Sequence, residues 1–248
     1  MTVSIITTCF NSALTIRDTL ESVSGQDYPH IEHIVIDAGS TDGTIAIVNE
    51  YPHVSLVISE QDAGIFHGMN KGLGVCTGDI ICFLNSDDWY PHMDVISQVV
   101  NILQKNKVQV VYGDLQYVDR LNIEKIARTW RSGHFSRNAL YYGWMPPHPT
   151  FFARKEVYEQ VGKFNTALRN AADYELMLRV LLKHGIDASY LPQVLVKMRR
   201  GGFSNAKLVH RLRANREYFN AWQINGLKPN LLTRYLKPLR KIPQFLFR

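Results

Sequence analysis

The chain has 248 residues, 46% hydrophobic and 20% charged, enough to bury one sizeable core and at most a small appended element. No run approaches the roughly 18–20 apolar residues needed to span a bilayer, and Met1-Thr2-Val3-Ser4-Ile5-Ile6 has no basic start, so neither a spanning helix nor a signal peptide is expected. The formal net charge of +6 is lopsided: residues 197–248 carry 13 Lys or Arg and a single acid, Glu217, while the remainder is net acidic, which argues against nucleic acid as a partner.

Val3–Cys9 is a β-branched run that ends in the polar stretch Phe10-Asn11-Ser12. Helical spacing follows over 13–24, with Leu14, Ile16, Leu20 and Val23 on the apolar face. Ile31–Asp37 is a second strand closed by Ala38-Gly39-Ser40-Thr41-Asp42-Gly43. A helix over about 42–50, a strand at Val54–Ser59, a helix near 66–76 and an apolar strand at Asp79–Leu84 come next. Strand and helix alternating at this spacing predict an α/β layer with a mostly parallel sheet, in which ligands gather at the carboxyl ends of the strands. Further on, the pattern gives a helix near 93–105, a hairpin over 108–130, a rigid extended loop at Pro146-Pro147-His148-Pro149 and a short strand at Thr150–Ala153. Helices near 155–161 and 172–184, strands near 187–191 and 193–199, and a long basic helix over 205–222 capped by Ser204 complete it. Cys9, Cys76 and Cys82 lack metal-ligand spacing and read as small buried hydrophobes.

Four constellations carry chemistry. In Phe83-Leu84-Asn85-Ser86-Asp87-Asp88-Trp89, two adjacent carboxylates at the mouth of an apolar strand repel each other unless a cation offsets them. A hard ion, Mn²⁺ or Mg²⁺, suits oxygen ligands of this kind, and helix capping is the plainer reading. Asp37, at the end of a buried strand, has the acceptor oxygens to meet a base N–H, although Ser-Thr-Asp-Gly is also ordinary turn chemistry. Gly64, Gly68 and Gly72 recur every four residues after Asp62, giving a smooth helix stripe that presses on a sheet or a nucleotide, with Lys71 as a point charge for phosphate. Asp173 and Glu175, two apart on a helix, point to different sides, so Asp173 is free to face a cleft.

In this order, these stretches resemble the family-2 glycosyltransferases of the GT-A fold, and among them bacterial enzymes of exopolysaccharide, colanic-acid or O-antigen assembly. The resemblance spans about residues 1–200. It rests on Ser4–Thr8 with Asn11, Ile36–Thr44, Asp62–Phe66 with Met69–Gly72, Leu84–Asp88, His148–Phe152 and Ala172–Arg179. It implies a 1–200 transferase domain followed by a basic helical extension over 201–248. It implies that Thr8, Asn11, Asp37, Asp62, Lys71, Ser86 and Asp87 serve the nucleotide, commonly uracil-bearing, and that Asp87 and Asp88 hold Mn²⁺ or Mg²⁺. Asp173 matches the catalytic base, and His148 and Arg200 fall where acceptor or diphosphate binds. Asn85 stands in place of the first Asp of the metal motif, His67 where relatives often carry Asp, and Ala172 where an acid commonly precedes the base. The Gln-x-x-Arg-Trp signature of processive relatives is missing.

The expected activity is therefore inverting, non-processive, metal-dependent transfer of one sugar from a nucleotide-sugar to a saccharide or lipid-diphosphate-linked acceptor. Lys207, Arg211, Arg213 and Arg216, interleaved with Tyr218, Phe219 and Trp222, predict a face that docks on the anionic inner leaflet of the cell membrane. A nucleotidyltransferase would need a basic glycine-rich first loop, which Thr7–Asn11 is not, whereas a catalytically inactive binding module remains the other alternative.

Overall fold

The computed structural model describes residues 1–201 and 208–230, with 208–215 as backbone alone, and the tail positions Thr233, Leu236, Arg240 and Gln244. The first half alternates as the spacing predicts. Strand β1 (Val3–Cys9) leads to α1 (Ile16–Ser24), β2 (Ile31–Asp37), α2 (Thr44–Val48), β3 (Val54–Ser59), α3 (Ile65–Val75) and β4 (Ile80–Phe83). These four strands pair in parallel, β1 beside both β2 and β4, and β2 beside β3, so their carboxyl ends share one edge. Leu14, expected on the buried face of the first helix, is 95% exposed because α1 starts two residues later.

The second half departs from a parallel layout. A two-residue strand β5 (Asp88–Trp89) precedes α4 (Val95–Lys105), β6 (Val110–Val118), β7 (Ile126–Trp130), α5 (Arg137–Tyr141), β8 (Phe152–Arg154), α6 (Lys155–Val161), α7 (Ala172–Leu178), β9 (Ala188–Arg199) and α8 (Leu208–Ile224). The sheet order is β3-β2-β1-β4-β8-β6-β9-β5, with β7 on β6. Here β4–β8, β6–β8, β6–β7 and β5–β9 are antiparallel and only β6–β9 is parallel, so the sheet is mixed. The two strands read around Pro192 are one strand, because a register shift opposite Gly113 accommodates the proline. Gly113 is required there: a Cβ would lie 2.4 Å from the Leu195 side chain. The loop at Pro146–Pro149 is buried and closes as a single 3-10 turn over His148–Thr150.

Alternation along β1 divides its side chains between two cores. Ile6 joins Ile34, Met69, Phe83, Phe151 and Tyr174 on one face, while Ile5 joins Ile96, Val99, Leu103 and Leu195 on the other. Each such side chain contributes about 1.5–3 kcal/mol when fully buried. All three cysteines are free and buried.

The basic helix is present as α8, but its aromatics turn inward. Trp222 is 2% exposed and donates from Nε1 to the Tyr174 hydroxyl at 2.9 Å, and Tyr218 packs edge-on against the Tyr174 ring. Phe219 is partly exposed. Ser204, Lys207, the side chains of Arg211 and Arg213 and most of the tail lie outside the described residues. Among those described, no helix is long and apolar enough to cross a membrane.

Candidate active site

The parallel strands deliver Thr8, Asn11, Asp37 and Asp62 to one edge, where β4 adds Ser86, Asp87 and Asp88. Their loops are stitched together. Asn11, in the left-handed region at φ 49°, accepts from the Thr41 N–H at 2.9 Å and donates its own N–H to Ser40 Oγ at 2.8 Å. The Ser12 and Ser86 hydroxyls are 2.8 Å apart. Asp37 is fully buried and accepts from the N–H groups of Gly39 and Ser40, the hydroxyls of Ser40 and Ser59, and the Cys9 thiol. Burial pushes its carboxyl up, but the hydrogen bonds from Ser40 and Ser59 outweigh it and hold the group below the usual carboxylate range. Thr8 Oγ1, by contrast, is buried without a hydrogen-bond partner.

Lys71 is not poised as an isolated cation. Its Nζ lies 2.6 Å from Asp62 Oδ1 and 2.9 Å from Glu60 Oε1. The glycine stripe serves packing: a Cβ at Gly72 would lie 2.4 Å from Ile6 on β1, and one at Gly68 2.9 Å from Asp62.

Asp87 and Asp88 contrast with Asp37. Asp88 is fully buried, Oδ2 accepts from the Asn85 amide at 3.0 Å, and Oδ1 has no partner. Burial first, then the charge of Asp87, lifts the Asp88 carboxyl well above its usual range. Burial lifts Asp87 too, opposed by Arg199 and Arg120. Asn85 Oδ1 is a second buried oxygen without a partner. Hard oxygen donors of this kind suit a divalent cation, so the residues fit one. Among the described residues no cluster of three or more His, Cys, Asp or Glu side chains suits a metal, so the remaining ligands would come from water or a bound phosphate.

Asp173 opens α7 and is partly exposed, while Glu175 is buried and takes a bidentate pair from Arg179 and a hydrogen bond from Asn225 on the loop after α8. The two acids point apart, as helical geometry requires. Burial raises the Tyr117 and Tyr218 phenols and the Asp173 charge adds to it, while at His148 the same charge opposes the burial that lowers the imidazole. The His148 ring stacks on Phe83 with centroids 5.4 Å apart, and its buried Nε2 has no hydrogen-bond partner.

Several residues at this site escaped the sequence reading. The phenol of Tyr117 on β6 is raised by burial first, with smaller contributions in the same direction from the charges of Asp88 and Asp173. Arg199 is buried, donates to the Asp87 carbonyl at 3.0 Å, pairs with Asp18 and stacks over Trp89 at 4.6 Å. Its neighbour Arg200, selected from the sequence, is exposed beside Asp119 and Arg128, since successive strand residues face opposite ways. Arg120, on the β6–β7 hairpin, joins Arg199 in opposing the rise of the Asp87 carboxyl, and Arg128 on β7 stacks over the Tyr117 ring at 4.0 Å.

Residues 4–162 match the family described as Glycosyl transferase family 2. The chain belongs to that family. This family-2 glycosyltransferase is 34% identical over 185 residues to an uncharacterised glycosyltransferase of Mycobacterium tuberculosis, covering 73% of this chain and 69% of the relative. It is 26% identical over 208 residues to a PGL/p-HBAD biosynthesis glycosyltransferase of Mycobacterium bovis, covering 82% and 78%. Among solved structures, Staphylococcus aureus TarS 1-349 in complex with UDP-GlcNAc superposes with a TM-score of 0.73 at 19% identity, over 95% of this chain and 69% of that one. The mannosyltransferase PcManGT of Pyrobaculum calidifontis, in complex with GDP-Man and Mn²⁺, gives 0.66 at 22% identity, over 98% and 69%. At such identities the likeness bears on the fold, a mixed sheet flanked by helices of the GT-A type.

Proposed function

We propose that this family-2 glycosyltransferase moves one sugar from a nucleotide-sugar, with UDP as the favoured carrier, to a saccharide or lipid-linked acceptor in cell-surface polysaccharide synthesis. Transfer is inverting, non-processive and dependent on Mn²⁺ or Mg²⁺. The observation that carries this reading is Asp88 Oδ1, a buried carboxylate oxygen without a partner beside a second acid at the mouth of the parallel strands. The complexes of TarS with UDP-GlcNAc and of PcManGT with GDP-Man and Mn²⁺, proteins of the same fold, support it.

In this reading Thr8, Asn11, Asp37, Asp62 and Ser86 surround the nucleoside, and Asp87 and Asp88 would hold the cation. When bound, that cation offsets charge on the departing diphosphate. Asp173 accepts the proton of the acceptor hydroxyl as its oxygen bonds to the anomeric carbon. The bond from that carbon to the diphosphate oxygen breaks, and the nucleoside diphosphate leaves with the electron pair. Neutral His148 offers its unpartnered Nε2 to a hydroxyl of the acceptor or the sugar. The basic 201–248 extension brings the enzyme to the cytoplasmic face of the membrane, with α8 seated on α7; co-sedimentation with anionic but not neutral vesicles checks that part.

Thermal shift with UDP and GDP, with and without Mn²⁺, on the wild type and Asp87→Ala tests the donor site. Metal-dependent stabilisation of about 2.7 kcal/mol at a hundred times Kd, absent in the variant, is expected. No shift with either nucleotide in Mn²⁺ would sink the donor-site reading.

A further inference from the structure

The turn that carries the two acids is held in place by partners from elsewhere in the chain. The Thr19 hydroxyl, on α1, donates to the Asp88 carbonyl at 2.7 Å and lies 3.3 Å from the Asn85 carbonyl. Arg199, the last residue of β9, donates from Nη1 to the Asp87 carbonyl at 3.0 Å. The Ser86 hydroxyl lies 2.8 Å from that of Ser12, in the loop before α1. Every residue from Asn85 to Asp88 is therefore tied to α1, to the loop before it or to β9. Two side-chain oxygens of the same turn, Asp88 Oδ1 and Asn85 Oδ1, are left without a partner.

Arg199 spans this arrangement. Its Nη2 pairs with Asp18, the neighbour of Thr19 in the first turn of α1, and its guanidinium lies over the Trp89 ring at 4.6 Å. One planar fork thus joins α1, through Asp18, to the acid turn, through the Asp87 carbonyl. The Arg199 side chain is 7% exposed, whereas that of Asp18 is 42% exposed. An arginine beside two acids that suit a cation acts in two opposed senses. Its positive charge repels a metal ion, while its hydrogen bonds hold the groups that would bind one. Groups that orient a metal's ligands are typically worth about 10–100-fold in metal affinity.

Resting on the metal-dependent donor site proposed above, we propose that Arg199, braced by Asp18, is a positioning residue that fixes the Asn85–Asp88 turn so that Asp87 and Asp88 meet one divalent cation together. Asp18 and Thr19 approach the turn from successive positions on α1, so that helix is its support. The loop before α1 carries Asn11 and Ser12, and the nucleotide side and the metal side of the site therefore share that support.

The test is calorimetric titration of the full-length protein with Mn²⁺ in the presence of UDP, and with uridine, which needs no metal. The variants are Arg199→Lys, Arg199→Met, Asp18→Asn and, as a control, Arg137→Met. Arg137 likewise joins a backbone carbonyl, of Gly185, to an aspartate, Asp187, but at the opposite end of β9. Arg199→Lys keeps the charge and loses the fork, and it is expected to weaken Mn²⁺ about tenfold or more while uridine changes less than twofold. Arg199→Met is expected to weaken Mn²⁺ at least as much, and Asp18→Asn about threefold. Unchanged Mn²⁺ affinity in Arg199→Lys, or tighter Mn²⁺ binding in Arg199→Met, would show that only the charge matters and overturns the assignment while leaving the donor site standing. An equal loss in Arg137→Met, or a parallel loss of uridine in the Arg199 variants, marks a purely structural role and overturns it too. Should the Arg199 variants not fold, Asp18→Asn decides alone, and unchanged Mn²⁺ affinity there rejects the proposal. A wild type that binds no Mn²⁺ with UDP present removes the metal-dependent donor site and this assignment together.

Discussion

The parallel edge of the sheet and the short strand β5 treat their buried acids in opposite ways. In the parallel half, Asp37 collects five donors and Asp62 a lysine, so both charges are matched within the chain. In the mixed half, Asp88 is as deeply buried as Asp37 but keeps an oxygen with no partner and a like charge beside it. An acid satisfied from within holds loops in place; an acid left wanting is kept at a cost in stability and points to a group that arrives from outside. Proximity to a strand end, which both share, does not separate the two roles. The count of donors does.

That contrast is open to attack, and the largest effect is expected at the acceptor side. Asp173→Asn should lower kcat about 10²–10⁴-fold with UDP affinity unchanged, and near-normal turnover would remove its role as base. Breaking a satisfied acid should instead affect folding. Glu175→Ala strands the buried Arg179 guanidinium and loosens the Asn225 contact, so it should destabilise by about 3–5 kcal/mol in thermal or urea unfolding.

A satisfied but uncharged group gives a pH signature of intermediate size. His33 is buried against the Thr7 hydroxyl and His53, and burial lowers its pKa to about 3. The unfolded chain binds a proton below about pH 6.5 that the folded one refuses, so stability falls as pH drops from there toward 3, by up to about 1.4 kcal/mol per unit. His33→Asn should flatten that acid limb in urea titrations at stepped pH, and an unaltered slope would reject the account.

At the wanting acid the sign reverses. Asp88→Asn should stabilise the metal-free protein by about 1 kcal/mol while abolishing the Mn²⁺-dependent shift with UDP, since it removes a buried carboxylate that accepts one hydrogen bond, from Asn85, and leaves its other oxygen without a partner. A destabilised metal-free variant would blur the distinction between the halves. The smallest effect is expected for Lys71→Met, whose ion pairs are partly solvated and should be worth at most about 1 kcal/mol in the same melts.

What lies along the chain was legible in the chain. The β-branched runs of β1 to β4, their turn residues and the helical spacing between them determined the parallel layer, because local alternation and turn chemistry act within a few residues of each other. Strand ends and helix starts are local features too, and they marked Thr8, Asp37, Asp87, Asp88 and Asp173. Tertiary structure alone decided which of these are spent on the fold and which remain available, for hydrogen bonds such as Ser59 to Asp37 or ion pairs such as Lys71 to Asp62 depend on three-dimensional approach. It also decided that Trp222 turns into the core and that Arg199 and not Arg200 lies beneath the acids. Register between strands far apart in sequence sets those facts, and a shift of one residue would send each side chain to the other face.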